Sequence, residues 1–301
     1  MGKKDTVTKE YMSNPEYFAD AFNYYLFDGK QTIHVNDLHE KDSSELDIIF
    51  KDEKEEIVQK TRDILKECII MEDQKYTYLL LGIENQSHIH YAMPVKNMIY
   101  DALNYEHQVS EKRKYHRDMN DLRGDEFLSG FSKTDKLKPV ITLVVYFGTK
   151  KWDGPRCLKD MFDATNKAVL QYVSDYKLNL LIPNEIKDFS KFSTDFGKAM
   201  KYISVGADKS AYKKVSNEEL YNEVNDETAK LLNKCIGLKI PKKEGGVEMK
   251  MCEALADIKL EGKLEMLFQL VSEGLLNIKD ASSKALVTED EFRELMKKAG
   301  F

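Results

Sequence analysis

The chain has 301 residues, of which 42% are hydrophobic and 33% are charged, and its formal net charge is −6. This composition is typical of a globular protein with an apolar core, and the sequence contains no low-complexity stretch. No apolar run approaches the roughly 18 residues that cross a bilayer, and the first residues, MGKKDTVTKE, lack the apolar core of a signal peptide. Four cysteines without a Cys-x-x-Cys pair indicate free thiols in a reducing compartment. We therefore expect a cytoplasmic protein with no membrane partner.

The negative net charge argues against nucleic acid as a partner unless the basic residues are grouped. Two groups are visible in the sequence, Lys112-Arg113-Lys114 with Arg117, and Lys150-Lys151. Each group taken alone is equally typical of solvated charges on a helix or a loop.

The N-terminal region contains one clear helix pattern. We expect no regular structure in the polar first dozen residues. Asn14-Pro15 then marks a helix start, because asparagine caps helices and proline is tolerated in the first turn. The helix is expected to bury Phe18 and Phe22 and to end at Gly29. Asp20 lies off the apolar stripe and is interpreted as an exposed aspartate.

Two strand patterns, Asp63 to Met71 and Tyr76 to Gln86, are separated by a short polar loop centred on residues 73 and 74. In a regular hairpin with this centre, residues whose numbers sum to 147 face each other, as Asp63 and Glu84 do. Directly opposed side chains share a face with Cβ atoms roughly 4.5–5.5 Å apart. Gln86 lies two residues beyond Glu84 and projects from the same face.

Carboxylate and amide oxygens at one strand end fit a hard divalent cation. The alternative is that Asp63 and Glu84 are solvated strand ends, although like charges directly opposite destabilise a sheet. Asp47, at the head of an apolar run, is a rival for the aspartate ligand. We favour Asp63, because only Asp63 falls opposite Glu84 in a hairpin of normal length.

A helix is predicted from Pro94 to about Asn120, where apolar residues recur at helical spacing. Lys96 in its first turn lies close to the strand end, either as a positive charge for the site or as an exposed lysine. His88 and His90 precede this helix. No further ligands are spaced to complete a zinc site with them, so a pair of loop histidines beside the cleft is favoured.

The apolar run at residues 139–147 predicts a central strand of a mixed sheet, covered on both faces. Trp152 is interpreted as a packing anchor, and residues 176–183 as a further strand. From about residue 190 the patterns are helical, and Ala281, Leu286 and Phe292 are expected in the core of two short helices. We therefore predict an α/β fold with a mixed central sheet flanked by helices over residues 1–205. Residues 206–301 would form a helical C-terminal module that packs or makes a homodimer.

The order of these motifs resembles the core of PD-(D/E)xK nucleases, with an aspartate, a hairpin, a Glu-x-(Lys or Gln) strand end and a helix. The segments TRDILK, YLLLGIENQS and YAMPVKNMIYDALNY are similar to those of the Rpn family of recombination-promoting nucleases, also described as transposases. The similarity continues through DEFLSGF and KPVITLVVYFGTKKWDGP and covers roughly residues 15 to 200.

The resemblance implies a metal-dependent DNA endonuclease that hydrolyses phosphodiester bonds, linked to recombination or mobile DNA. Asp63 and Glu84 would bind Mg²⁺ or another divalent cation such as Ca²⁺ or Mn²⁺. Gln86 would take the place of the catalytic lysine, whose charge Lys96 could supply, and Asp20 would be an accessory acidic residue. The alternative is a catalytically degenerate nuclease fold that binds nucleic acid or protein. Gln86 and the net charge favour that alternative, whereas the retained acidic pair argues against it.

Overall fold

The computed structural model describes residues 3–41, 63–72, 75–163, 166–206, 208–238, 240 and 249–301. The chain divides into two compact units, Met1–Ala207 and Asp208–Phe301. The division into domains at residues 205 and 206 stays a prediction. Within the described residues, no helix has both the length and the apolar character needed to cross a bilayer.

The first unit is built on a five-stranded sheet in the described part of the chain. Its strands follow chain order across the sheet: β1 Leu38–Glu40, β2 Ile64–Glu72, β3 Lys75–Gln86, β4 Val140–Tyr146 and β5 Asn179–Leu181. Strands β1, β2 and β3 pair antiparallel, whereas β3, β4 and β5 pair parallel. The helices in the described residues of this unit are α1 Lys3–Ser13, α2 Pro15–Phe27, α3 Met93–Met119, α4 Gly124–Ser129, α5 Lys167–Leu170 and α6 Asp195–Ser204. The predicted mixed α/β fold is confirmed.

The hairpin register agrees with the prediction. Ile64 faces Ile83 and Cys68 faces Leu79, so the facing numbers sum to 147 along the ladder. Asp63 directly precedes Ile64, and Glu84 directly follows Ile83. The two carboxylates therefore belong to the same end of the hairpin, where the apolar strands stop.

The two faces of the sheet are covered by different helices. Helix α3 lies on one face, where Tyr105 packs against Leu65, Leu80 and Val140. On the opposite face the buried ammonium group of Lys66 lies 5.4 Å from the centre of the Phe18 ring of α2. Because side chains alternate along a strand, Leu65, Leu80 and Glu84 all belong to the α3 face. The acidic pair therefore lies beneath the first turns of α3.

Two predictions for the N-terminal region have different outcomes. Helix α2 begins as predicted, with the Asn14 side chain accepting a hydrogen bond from the Glu16 amide. The expectation of no regular structure in the first dozen residues is wrong, because those residues form most of α1. Tyr11 and Met12 are buried, and the Tyr11 ring stacks on Tyr17 at 4.3 Å, which stabilises α1 against the rest of the unit.

The predictions of a buried central strand at β4 and of a packing role for Trp152 are confirmed. Every residue of β4 is buried except the half-buried Ile141. Trp152 is buried, its ring meets Tyr146 edge to face at 5.3 Å, and its indole N–H donates to the Gly154 carbonyl. The strand predicted at residues 176–183 is shorter, because Lys177 bridges to Cys157 and Pro183 begins a 3-10 turn.

The described part of the second unit is mainly helical. Its elements are α7 Lys209–Ser216, β6 Glu223–Val224, α8 Asp226–Ile236, β7 Met249–Lys250, α9 Met251–Ser272, α10 Ile278–Ala285 and α11 Glu289–Lys298. Ala281 and Phe292 are buried as predicted, and Phe292 meets Phe268 edge to face at 4.9 Å. The prediction for Leu286 is wrong, since it is 88% exposed and caps α10 in the left-handed conformation. Homodimer formation stays a prediction.

Candidate active site

Two carboxylates stand at the open end of the β2–β3 hairpin. Glu84 is almost fully buried, with only 3% of the residue exposed. A buried carboxylate is energetically unfavourable unless it has compensating partners. The Oδ2 atom of Asp63 accepts a hydrogen bond from the backbone amide of Asn85 at 2.9 Å. This bond fixes the Asp63 carboxylate beside the peptide group that follows Glu84.

A lysine and an amide converge on one oxygen of Glu84. The Lys96 ammonium group forms an ion pair with Glu84 Oε1. The Gln86 amide nitrogen donates to the same oxygen at 3.1 Å. The structure thus brings together four residues singled out from the sequence, Asp63, Glu84, Gln86 and Lys96. Their chemical roles stay predictions.

The electrostatics of this cluster keep Lys96 charged. Burial lowers the pKa of Lys96, but the charges of Glu84 and Asp63 and the hydrogen bond to Glu84 outweigh burial, so the pKa is raised. Two carboxylates and one ammonium group carry a formal charge of −1. A bound divalent cation would change the local charge to +1, and a positive charge attracts a phosphate group.

Tyr100 is a member of the cluster that we did not single out from the sequence. It lies one helical turn after Lys96 on α3, and the Lys96 ammonium group is 5.7 Å from the centre of its ring. Burial and the nearby charge of Glu84 raise the pKa of Tyr100, so its hydroxyl group stays protonated. The four-residue spacing from Lys96 is a signal for this neighbour, because residues i and i+4 share a helix face.

The donor set decides which metal the residues fit. In the described part of the chain, no group of three or more His, Cys, Asp or Glu side chains is placed to hold a metal ion. A structural zinc site needs about four such ligands, and the described residues do not bring that many together. Mg²⁺ is commonly bound through one or two carboxylates, with waters and substrate phosphates completing the shell. Asp63 and Glu84 fit that second pattern.

The two loop histidines do not extend the ligand set. Strand β3 ends at Gln86, and His88 and His90 are exposed in the loop before α3. Partial desolvation by its neighbours and the positive charge of Lys96 lower the pKa of His90. His90 therefore borders the site as a neutral imidazole at neutral pH.

A family model described as "putative transposase, YhgA-like" matches residues 2–226 of the 301. The chain belongs to this transposase family. The matched region contains the whole cluster around Glu84, and it confirms the resemblance drawn from the sequence motifs. No curated protein and no solved structure matches the chain significantly.

In this transposase-family chain, Asp20 lies in another environment. It is 1% exposed, so its interpretation as an exposed aspartate is wrong. Its two oxygens accept four hydrogen bonds, from the backbone amides and hydroxyl groups of Ser193 and Thr194. Burial raises the pKa of Asp20, and these hydrogen bonds oppose the rise. The contacts join α2 to the start of α6 and do not bring Asp20 to the carboxylate pair. The rival aspartate, Asp47, lies outside the described residues.

We predict that Asp20→Ala lowers the free energy of unfolding by about 3 kcal/mol, because it leaves buried donors without an acceptor. Urea denaturation measures this change. Asp20→Asn is the matched control and should cost less, since its amide oxygen can still accept one or two of the bonds. If Asp20→Ala is as stable as the wild type but no longer responds to Mg²⁺, Asp20 is an accessory ligand after all.

The basic group on α3 is not a single patch. Lys112 pairs with Asp135 at 3.5 Å. Arg113 pairs with Glu106 at 3.2 Å and donates to the Ser129 carbonyl. The neighbouring lysine and arginine therefore point toward different partners, and only part of the group is available to an anionic ligand.

Proposed function

We propose that the protein is a Mg²⁺-dependent endonuclease that hydrolyses phosphodiester bonds in DNA, in a process linked to mobile DNA. The observation that carries the proposal is the convergence of Asp63, Glu84, Gln86 and Lys96 at one strand end. Membership of the transposase family supports the link to mobile DNA. Glu84 is buried beside a second carboxylate, which is costly in a sheet unless a cation compensates the charge.

Each residue has a distinct role in the proposed reaction. Asp63 and Glu84 would hold the ion through carboxylate oxygens. When bound, the ion polarises a phosphoryl oxygen and lowers the pKa of a bound water. Gln86 is neutral at every relevant pH, so it orients a water or a phosphate oxygen and carries no proton.

Lys96 is the residue that contacts the substrate phosphate in this proposal. Its ammonium group is charged, and 30% of its side chain is exposed, so it is accessible from the mouth of the site. In the free protein this charge compensates Glu84. In the complex it would bind a non-bridging phosphate oxygen, while the Tyr100 ring lies 5.7 Å from the ammonium group on the next turn of α3.

A non-catalytic binding module is the second candidate. The net charge of −6 favours it, and so does the Lys96–Glu84 ion pair, which stabilises a buried carboxylate without any metal. The two candidates differ in one observable respect. A binding module gives the same DNA complex with and without Mg²⁺, whereas a nuclease converts its substrate only when the ion is present.

Incubation with supercoiled plasmid DNA tests the proposal. We expect nicked and then linear product with Mg²⁺ or Mn²⁺, and none with EDTA. The rate should fall steeply between about 50 and 200 mM salt, because phosphate binding releases counterions. Cleavage that persists in EDTA, or complete absence of cleavage with every divalent cation, would contradict the proposed function.

A further inference from the structure

The first unit has a cavity of about 370 Å³ between α3 and the sheet, away from the carboxylate pair. This volume lies within the range of roughly 300–1,000 Å³ that is typical of ligand sites. None of Asp63, Glu84, Gln86 and Lys96 lines it. Its lining combines an apolar floor with a rim of lysines. The floor includes Leu65 and Leu80, and the rim consists of Lys41, Lys112, Lys136 and Lys138.

The cavity lies in line with the candidate active site. On β3, Leu80 precedes Glu84 by four residues on the same face, which is about 13 Å of strand. On α3, the lining residue Asn104 follows Lys96 by eight residues, which is about 12 Å of helix. A stacked nucleic-acid strand rises about 3.4 Å per nucleotide. A strand running along α3 from the site would therefore reach the cavity about four nucleotides away.

Three of the four lysines of the rim are held in place by carboxylates. Glu67 pairs with Lys138 and, at 3.8 Å, with Lys41. The hydrogen bond from Lys138 holds the pKa of Glu67 below its usual range, so Glu67 is ionised at neutral pH. Lys112 is similarly held by Asp135. Ordered lysines lose less side-chain entropy when they bind a ligand than free surface lysines do.

The charges around the cavity leave a small positive excess. The rim has four lysines, and the carboxylates that face them are Glu67, Asp135 and the lining residue Glu111. Four lysines against three carboxylates leave a formal excess of one positive charge. One phosphodiester carries one negative charge, so a single phosphate matches the excess.

The walls suit the remainder of a nucleotide. Leu65, Leu80 and Leu137 provide an apolar floor, and Tyr115, which is 56% exposed, lies at the cavity. An exposed aromatic ring beside a cationic rim is suited to stacking on a base. The Gln108 amide accepts from the Lys138 backbone N–H at 2.7 Å and donates to the Lys138 carbonyl at 3.1 Å. These two hydrogen bonds fix one wall of the cavity.

From these observations we infer that the cavity binds one nucleotide of the DNA strand that is cut at the carboxylate pair. The inference rests on the proposed function and adds a substrate subsite to it. The phosphate contacts the lysine rim, and the sugar and base cover the apolar floor. The same chemistry would admit a free deoxynucleoside monophosphate, which the experiment separates from a strand.

Fluorescence anisotropy of a labelled single strand of about 20 nucleotides tests the subsite without catalysis, with EDTA present. The pocket variant is Lys112→Ala/Lys136→Ala. The matched control is Lys114→Ala/Lys133→Ala, which removes the same charge from the same segments outside the lining. We expect the pocket variant to lower affinity about tenfold and to reduce the salt slope by roughly 0.7, the value for one phosphate on a single strand. The control should change affinity less than about twofold.

A strand of about three nucleotides cannot span the distance from the site to the cavity, so the wild type should bind it more weakly than the long strand. Equal losses with the long strand for both variants would mean a non-specific charge effect and would overturn the inference. A free deoxynucleoside monophosphate should not displace the long strand easily. If it displaces the strand completely and binds as tightly as the strand does, the assignment of the cavity to a DNA strand is overturned. If the double variant does not fold, Lys136→Ala alone serves, since its side chain makes no ion pair with the described residues.

The outcome separates the subsite from the proposed function. If the wild type cuts DNA and the pocket variant binds the long strand as tightly as the wild type, the subsite is wrong and the nuclease stands. If the wild type never cuts DNA but binds it through the pocket, the nuclease is wrong and the nucleotide site stands.

Discussion

Glu84→Gln and Asp63→Asn are each expected to lower the rate of plasmid cleavage at least about 100-fold. Both changes keep the shape of the side chain and remove one charged ligand for the ion. A 100-fold loss corresponds to about 2.7 kcal/mol of transition-state stabilisation. Initial rates of nicking under the same Mg²⁺ concentration measure the effect.

The fold should survive these changes. The amide oxygen of Asp63→Asn can still accept the Asn85 N–H, and one of two like charges is lost. In EDTA we therefore expect the free energy of unfolding of Asp63→Asn to lie within about 1 kcal/mol of the wild-type value. Gln86→Ala is the matched control from the same cluster, and its rate should fall less than that of either carboxylate variant. Wild-type rates in both carboxylate variants would exclude the hairpin end as the active site.

Lys96→Met is expected to strengthen Mg²⁺ binding and to weaken cleavage. The substitution changes the local charge from −1 to −2 and removes the group that competes with a cation for Glu84. We expect about tenfold tighter Mg²⁺ binding, a gain that follows from the lost repulsion between like charges a few ångströms apart. Cleavage should fall about 100-fold, because the scissile phosphate loses its cationic contact. Calorimetric titration and single-turnover rates measure the two effects separately.

The same variant shows whether Lys96 is more than a structural ion-pair partner. Without metal, Glu84 is left buried with its cation removed, and we expect a loss of about 2 kcal/mol in unfolding free energy that Mg²⁺ restores. Lys96→Arg keeps the charge and is the control. A Lys96→Met protein that cuts DNA at the wild-type rate would limit Lys96 to a structural role.

The register of the acidic pair could be predicted because the hairpin has short-range causes. The side-chain period of two and a short polar loop together place Asp63 opposite Glu84, and no distant contact is needed. The approach of Lys96 depends on how α3 lies on the sheet. That orientation comes from Tyr105 packing on Leu65, Leu80 and Val140, which local patterns do not reveal.

Two of the failures concern residues whose partners or packing are not visible in the local sequence. Asp20 looks like a surface residue within its own helix, but its partners lie 173 and 174 residues further along the chain. Helix α1 has a polar sequence, and only its packing through Tyr11 and Met12 explains why it is ordered. The lysine-rimmed cavity combines residues of a loop, two strands and a helix, so no single motif predicts it.

Mg²⁺ binding to the wild type and to Asp63→Asn, followed by isothermal titration in the same buffer, tests the central claim most directly. We predict a single site in the wild type and no measurable binding in the variant. An ion at 100 times its dissociation constant should also raise the unfolding free energy of the wild type alone by about 2.7 kcal/mol. Equal Mg²⁺ affinity in the two proteins would contradict the assignment of Asp63 and Glu84 as the metal site.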